Sequence, residues 1–321
     1  MLQVGVLALA ALSTLSQTVA EAREFRLGIV TTPIHPWNQE LTAINEDLKR
    51  ETGGRFSIVV FPTGRLGTEA SMLQQLQAGS LDMAWISTTE LANWIPEFGA
   101  LHAPFLVKNV QQAARLFETR LTLSLLDRLL KIGVVGLGFG MAGMRQIYTR
   151  SSASSLADLK GKTIRIIPSA PCSDFFALLG MSPASMPFRE IYNALAIGKV
   201  DAIDMDFEGT ADYKLYDHLS TLLLTKHDVL SSVALVSEKV WSDLSSGDRD
   251  VIRSITQKHL EMMKQTIFAQ ERDFLQQLHR SPLKIIEVDA SSFGHAVAEW
   301  DAIWLSKAPI LREIREIAAQ L

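Results

Sequence analysis

The sequence predicts an α/β fold with two comparable lobes and a cleft between them. Three features carry that expectation. Strand-like and helix-like segments alternate from Glu24 onward, one loop recipe occurs twice, and a single long amphipathic segment follows the second series.

The first series opens with a strand-like Phe25 to Val30. A helix from Pro36 to Arg50 follows, with Leu41, Ile44 and Leu48 on one face and Gly53-Gly54 as its stop. Phe56 to Phe61 is a β-branched and aromatic run, Thr68 to Ala78 is a helix stopped by Gly79, and Met83 to Ser87 is a short buried strand. The second series holds strands at Ile132 to Phe139, Thr163 to Ile167 and Ala202 to Asp206, with helices at Ser173 to Leu179 and Arg189 to Ile197. Repetition is most direct in Gly79-Ser80-Leu81-Asp82-Met83 and Gly198-Lys199-Val200-Asp201-Ala202. In each, Gly takes a left-handed helix end, an aliphatic residue tucks beneath it, and Asp turns the chain into a strand. Asp248 to His279 reads as one long helix, capped by Ser245 and striped by Ile252, Ile255, Leu260, Met263, Ile267 and Phe274. A strand from Leu283 to Val288 and closing helices within Ser292 to Gln320 complete the chain.

The chain has 321 residues, 47% of them hydrophobic, and a net charge of -4 with both signs interspersed. That supports a large core and excludes the basic stripe that nucleic acid or an anionic membrane requires. Residues 1–22 run from an apolar stretch, Val4 to Leu15, to the small-x-small sequence Ala20-Glu21-Ala22, the order of a secretory signal peptide. The n-region lacks a positive charge, and a buried apolar helix is the competing reading. No later segment is long and uncharged enough to span a bilayer, so the mature protein is expected not to cross the membrane. Cys172 is the single cysteine, so neither an intramolecular disulfide nor a cysteine metal site is expected.

Catalytic patterns are sparse. Gly138-Phe139-Gly140-Met141-Ala142-Gly143 matches GxGxxG, and a secreted nucleotide-dependent oxidoreductase built on that loop is the alternative function it raises. The extended character of Met144 to Thr149 argues against it, because a dinucleotide loop opens a helix. The seven histidines, His35, His102, His218 and His227 among them, show no metal-ligand spacing, and no nucleophile elbow or Walker loop occurs. No enzyme, cofactor or metal is expected.

Arg165 stands out inside Lys162-Thr163-Ile164-Arg165-Ile166-Ile167. On a period-two strand it faces away from Ile164 and Ile166, toward solvent, an ion-pair partner or a cleft, and its planar fork matches a carboxylate bidentately.

Four stretches now carry a family likeness: Phe61 to Trp85 (FPTGRLGTEASMLQQLQAGSLDMAW), Pro96 to Val107 (PEFGALHAPFLV), Asp158 to Ile166 (DLKGKTIRI) and Met186 to Asp204 (MPFREIYNALAIGKVDAID). From Phe25 to about Ala290 the chain resembles the solute-binding subunits of tripartite ATP-independent periplasmic (TRAP) transporters. The resemblance implies a two-lobed periplasmic binding protein of the Venus-flytrap type with a long helix bridging the lobes. It also implies that Arg165 clamps a substrate carboxylate, that Arg145 is a second ligand-facing arginine and that Phe188 forms an aromatic wall. Where many members of the family read Gly-x-Glu-Asn-Pro, this chain has Ala202-Ile203-Asp204-Met205-Asp206, so Met205 replaces the amide that often helps hold the carboxylate. Alternation places Asp204 and Asp206 on one face, where they accept hydrogen bonds from ligand hydroxyls or an amine, or serve as capping and salt-bridge groups. Ser87, at a strand end, and His35, in the Thr32 to Trp37 loop, are further cleft candidates.

The expected division is a signal peptide at 1–22, a first lobe at 23–140 with a returning segment from about 228–245, a second lobe at 141–227 joined by C-terminal segments, and the long connecting helix with closing C-terminal elements at 246–321. The expected function is periplasmic capture of a small organic carboxylate, hydroxylated or a sugar acid, by a monomer that hands it to TRAP membrane permease subunits. A sensory ligand-binding subunit would share the same pocket.

Overall fold

The computed structural model describes residues 22–278 and 283–321. The expected signal segment therefore lies outside the described residues except for Ala22, and so does His279, the expected end of the long helix. Among the described residues nine strands are formed: β1 (Arg23–Gly28), β2 (Phe56–Phe61), β3 (Met83–Ser87), β4 (Val134–Thr149), β5 (Thr163–Ile166), β6 (Ser182–Ser185), β7 (Ala202–Met205), β8 (Thr221–Ser237) and β9 (Lys284–Glu287). They join in the order β2-β1-β3-β8-β4-β7-β5-β6, with β9 beside β8.

The outer strands pair in parallel, as β-α-β units require: β1 with β2 and β3, and β5 with β6 and β7. The centre is antiparallel. β8 runs against β3 through Ser232 to Val236 and against β4 along most of its length, and β4 runs against β7 through Gln146 to Thr149. Two long strands thus pass through both lobes, and their pairing shifts register between Gly136 and Gly138, between Met141 and Gly143, and between Arg145 and Ile147. Gly143 lies at the second shift with φ +157°, an irregularity that bends a strand and re-aims its side chains.

The repeated loop recipe does the same work in both lobes. Gly79 and Gly198 have φ of +77° and +71°, and Leu81 and Val200 are buried. Asp82 then accepts the Arg26 amide at 2.9 Å, and Asp201 accepts the Thr163 amide at 2.9 Å. Each aspartate satisfies the edge of the strand beside the one that it introduces.

The glycine run does not form a phosphate loop. Gly138 to Gly143 lies within β4, every residue of which is buried, and the strand continues to Thr149 rather than opening a helix. The sequence reading stopped this strand at Phe139 because burial on both faces removes the alternation that marks a strand. Close packing is what the glycines provide. A Cβ at Gly138 would sit 2.7 Å from Leu260, and one at Gly140 2.7 Å from Met263 and 2.9 Å from Ser232 Oγ.

Leu260 and Met263 belong to the helix Ser246–Leu278, which packs along β4 and the helix Pro36–Glu51 and reaches the helix Phe207–Asp212 of the second lobe. Ser245 Oγ accepts the Asp248 amide at 3.1 Å, as the capping pattern predicts, and Asp248 also pairs with Arg55 at 2.7 Å. The closing helices Ala296–Lys307 and Leu311–Gln320 finish the tie. Trp300 donates to Pro171 O at 2.9 Å, while Trp304 lies against Gly99, where a Cβ would come within 2.2 Å of its ring.

The core divides into a large cluster including Trp85, Phe98, Phe117, Phe139 and Trp300 and a smaller one including Tyr148, Ile191, Leu195, Ile203 and Leu222. Because Gly140 has no spare volume, Gly140→Val should destabilise the protein by about 1 to 3 kcal/mol. Urea unfolding measures this, and an unchanged midpoint would show that the long helix is not seated on β4.

Candidate functional site

A cavity of about 210 Å³ lies between the lobes, at strand ends, where open α/β sheets hold ligands. The first lobe lines it with Thr31, His35, Trp37, Glu69, Ser87 and Glu90. Arg145, Arg165, Phe188, Met205 and Asp206 line it from the other side. Hydrogen bonds draw the two walls together. The Thr32 amide donates to Asp212 at 3.1 Å, Tyr213 OH to Val30 O at 3.2 Å, and Asn93 Nδ2 to Pro168 O at 2.9 Å.

Local sequence explains the position of each group. His35 caps the helix Pro36–Glu51 by accepting the Trp37 amide on Nδ1 at 3.2 Å, which makes that nitrogen an acceptor. Burial holds the pKa of His35 below the usual histidine value, against the opposing charges of Asp212 and Asp206. Ser87 ends β3 and caps the short helix Thr88–Leu91, while its amide and hydroxyl both donate to the Glu69 carboxylate at 2.8 and 2.6 Å. Phe188 packs against Tyr213 with ring centroids 4.4 Å apart.

The two arginines differ sharply. Arg145, 1% exposed, is saturated. It donates to the Asp204 carboxylate through Nε at 3.0 Å and Nη2 at 2.9 Å, to Asp206 through Nη1 at 2.6 Å, and to the Asp204 carbonyl through Nη2. Burial would lower its pKa, but Asp204 and Asp206 reverse that and hold it above the ordinary value. Asp204 likewise overcomes burial, through Arg145 and then His227, and sits well below the usual carboxylate range. Asp206 also caps the helix Phe207–Asp212 by accepting the Gly209 amide at 2.7 Å. Both capping and ion pairing were weighed from sequence, and both are present. Asp204 is not part of the cavity wall, being turned toward Arg145 and His227.

Arg165, 2% exposed, has no acidic partner. Its Nε and Nη2 donate to the Met186 carbonyl at 3.0 and 2.8 Å, and Nη1 is buried without a partner. Burial, and then repulsion from Arg145, push its pKa down to about 9. The cation is present at neutral pH and poorly compensated. An anion delivered to Nη1 would correct both defects.

Among the described residues no cluster of three His, Cys, Asp or Glu is arranged to hold a metal, and no helix is long and apolar enough to cross a membrane. Sequence reasoning missed Glu69 and Glu90 as cavity groups. Glu69 stood only as a residue of the helix Glu69–Ala78, and its role emerges only when that helix start meets Ser87.

A family model described as bacterial extracellular solute-binding protein, family 7, matches residues 27–306. The chain belongs to that family. It is a TRAP-type substrate-binding protein rather than an enzyme, as the motifs in its sequence implied. This family 7 protein is similar to the sialic acid-binding periplasmic protein SiaP of Vibrio cholerae, with 27% identity over 253 residues covering 78% of this chain and 79% of the relative. A sugar acid binding protein from Advenella mimigardefordensis, solved in complex with galactonate, superposes with a TM-score of 0.89 at 25% identity, covering 94% and 99% of the two chains. A TRAP periplasmic solute binding protein from a Bradyrhizobium species, in complex with galacturonate, gives a TM-score of 0.87 at 27% identity, covering 92% and 100%. The two-lobed family fold is therefore the fold of this protein.

Removing Asp204 leaves Arg145 half compensated inside the core, so Asp204→Ala should cost about 3 to 5 kcal/mol. The sign with pH follows from the lowered folded pKa: the contribution of Asp204 is full above its unfolded pKa and is lost as pH falls through the folded one. Urea midpoints taken from pH 7 downward should therefore converge for wild type and Asp204→Ala. A gap that persists at low pH would contradict the assignment.

Proposed function

We propose that this family 7 protein captures a small hydroxylated organic acid in the periplasm and delivers it to a TRAP membrane permease. Arg165 clamps the carboxylate. The observation that carries this reading is the buried, unpartnered Nη1 of Arg165 at the cavity wall. A group buried in that state costs stability until an acceptor reaches it. The ligands named for the galactonate and galacturonate complexes, both sugar acids, agree with such an acceptor.

The other roles follow from their positions. Arg145, held by two aspartates, braces the wall beside Arg165 and presents its field to the ligand. Asp206, Ser87 and His35 offer acceptors and donors to hydroxyl groups. Phe188 and Met205 supply the apolar face against which a carbon chain lies. Closure of the lobes about the shifted registers of β4 and β8 removes the acid from water. The exported form is a monomer from which residues 1–22 have been removed as a signal peptide, and the closed form is what the permease receives.

Arg165→Ala, and also Arg165→Lys, should weaken binding of a hexonate such as galactonate by about 2 to 5 kcal/mol, because an ammonium does not reproduce the planar fork that also holds Met186 O. Titration calorimetry of the three proteins reads this directly. Equal affinities would remove Arg165 from the site.

A further inference from the structure

The cavity is electrically lopsided. Arg145 is spent on Asp204 and Asp206, so Arg165 is the cation in the wall that is left without a carboxylate. The first-lobe wall carries two carboxyl groups, Glu69 and Glu90, whose charges act on each other. Glu69 already accepts both Ser87 donors and feels the field of Arg165. Glu90, 6% exposed, is held from behind by Trp94 Nε1 at 3.2 Å and Asn93 Nδ2 at 3.4 Å.

We propose that Glu90 makes the cavity selective for acids with one carboxylate and a hydroxylated tail, and against acids with a carboxylate at both ends. This rests on the Arg165 clamp. Once one carboxylate occupies Arg165, a second at the far end of a small acid meets Glu69 and Glu90 and no compensating cation. A like-charge contact out of water opposes binding strongly. A terminal hydroxyl instead donates to either carboxyl, and it accepts a hydrogen bond from Glu90 when that group is neutral. The acids do not stand alone as a ligand site, because the buried Nη1 of Arg165 in the same cavity fixes where the anionic end of the ligand must go.

Burial, and then Glu69, push the pKa of Glu90 up to about 7. The selectivity should therefore depend on pH. The other ionisable groups in the wall are Glu69, His35, Arg145, Arg165 and Asp206. His35 has its pKa lowered by burial, and the arginines remain charged. Lowering pH from 8 to 6 neutralises Glu90, and the bar against a second carboxylate relaxes.

A matched pair of probes tests this: galactonate, and galactarate, which differs only in carrying a carboxylate in place of the terminal hydroxymethyl group. Calorimetry on wild type at pH 8 should show galactonate bound more tightly by at least about tenfold. That ratio should shrink at pH 6. In Glu90→Gln it should be smaller at pH 8 and independent of pH, through a gain in galactarate binding. The wild-type pH comparison keeps the test decisive if the variant folds poorly. Galactarate bound as tightly as galactonate by wild type at pH 8, or an unchanged ratio in Glu90→Gln, overturns the role of Glu90 while leaving the Arg165 clamp intact. If Arg165→Ala binds both acids as wild type does, the clamp fails, and this inference fails with it.

Discussion

A buried guanidinium with an open valence is the constraint around which the rest of the molecule is arranged. Taking Arg165 out of water is costly, and a carbonyl alone compensates it incompletely. The fold accepts that cost while placing a fully neutralised arginine next door. Asp204 and Asp206 pair with Arg145, whereas Arg165 is held by the Met186 carbonyl. The difference between two neighbouring cations, one satisfied and one not, is what the proposed anion site rests on. Ligand binding then completes a structure that is incomplete by one acceptor.

The sheet makes this arrangement transmissible. β4 and β8 run through both lobes: β4 carries Arg145, and β8 pairs with β3, which ends at Ser87 of the first-lobe wall. Two of the three register shifts between them fall at Met141 to Gly143 and Arg145 to Ile147, beside the cavity residues Ala142 and Arg145. The long helix and the C-terminal tryptophans tie the lobes from the outside. Beside the cavity the two walls meet through hydrogen bonds of Thr32 with Asp212, Val30 with Tyr213 and Asn93 with Pro168. Asn93 also donates to Glu90, so Glu90 shares a partner with one of the contacts between the walls.

Much of this was legible in the residues. The paired loops after Gly79 and Gly198 announced two similar units because helix end, buried aliphatic and capping aspartate are local chemistry. Arg165 stood out because a guanidinium between isoleucines in a strand needs a reason. Other features were hidden for physical causes. A strand buried on both faces loses its alternation, so β4 looked half its length and its glycines imitated a phosphate loop. The β8 ladder went unread as a strand because its length reflects pairing with a distant partner. Asp204 and Asp206 were correctly placed on one face, but sequence alone left open whether that face met a ligand or an arginine. Glu69 and Glu90 gave no signal, since their importance comes from where two helix starts are brought together.

The most direct test of the account is a crystal structure of the protein with a bound hexonate. The account requires a carboxylate oxygen within about 2.7 to 2.9 Å of Arg165 Nη1, with the Met186 carbonyl still held by Nε and Nη2 and the hydroxylated tail running toward Glu69 and Glu90. A carboxylate bound elsewhere in the cleft, with Nη1 still unpartnered, would contradict it.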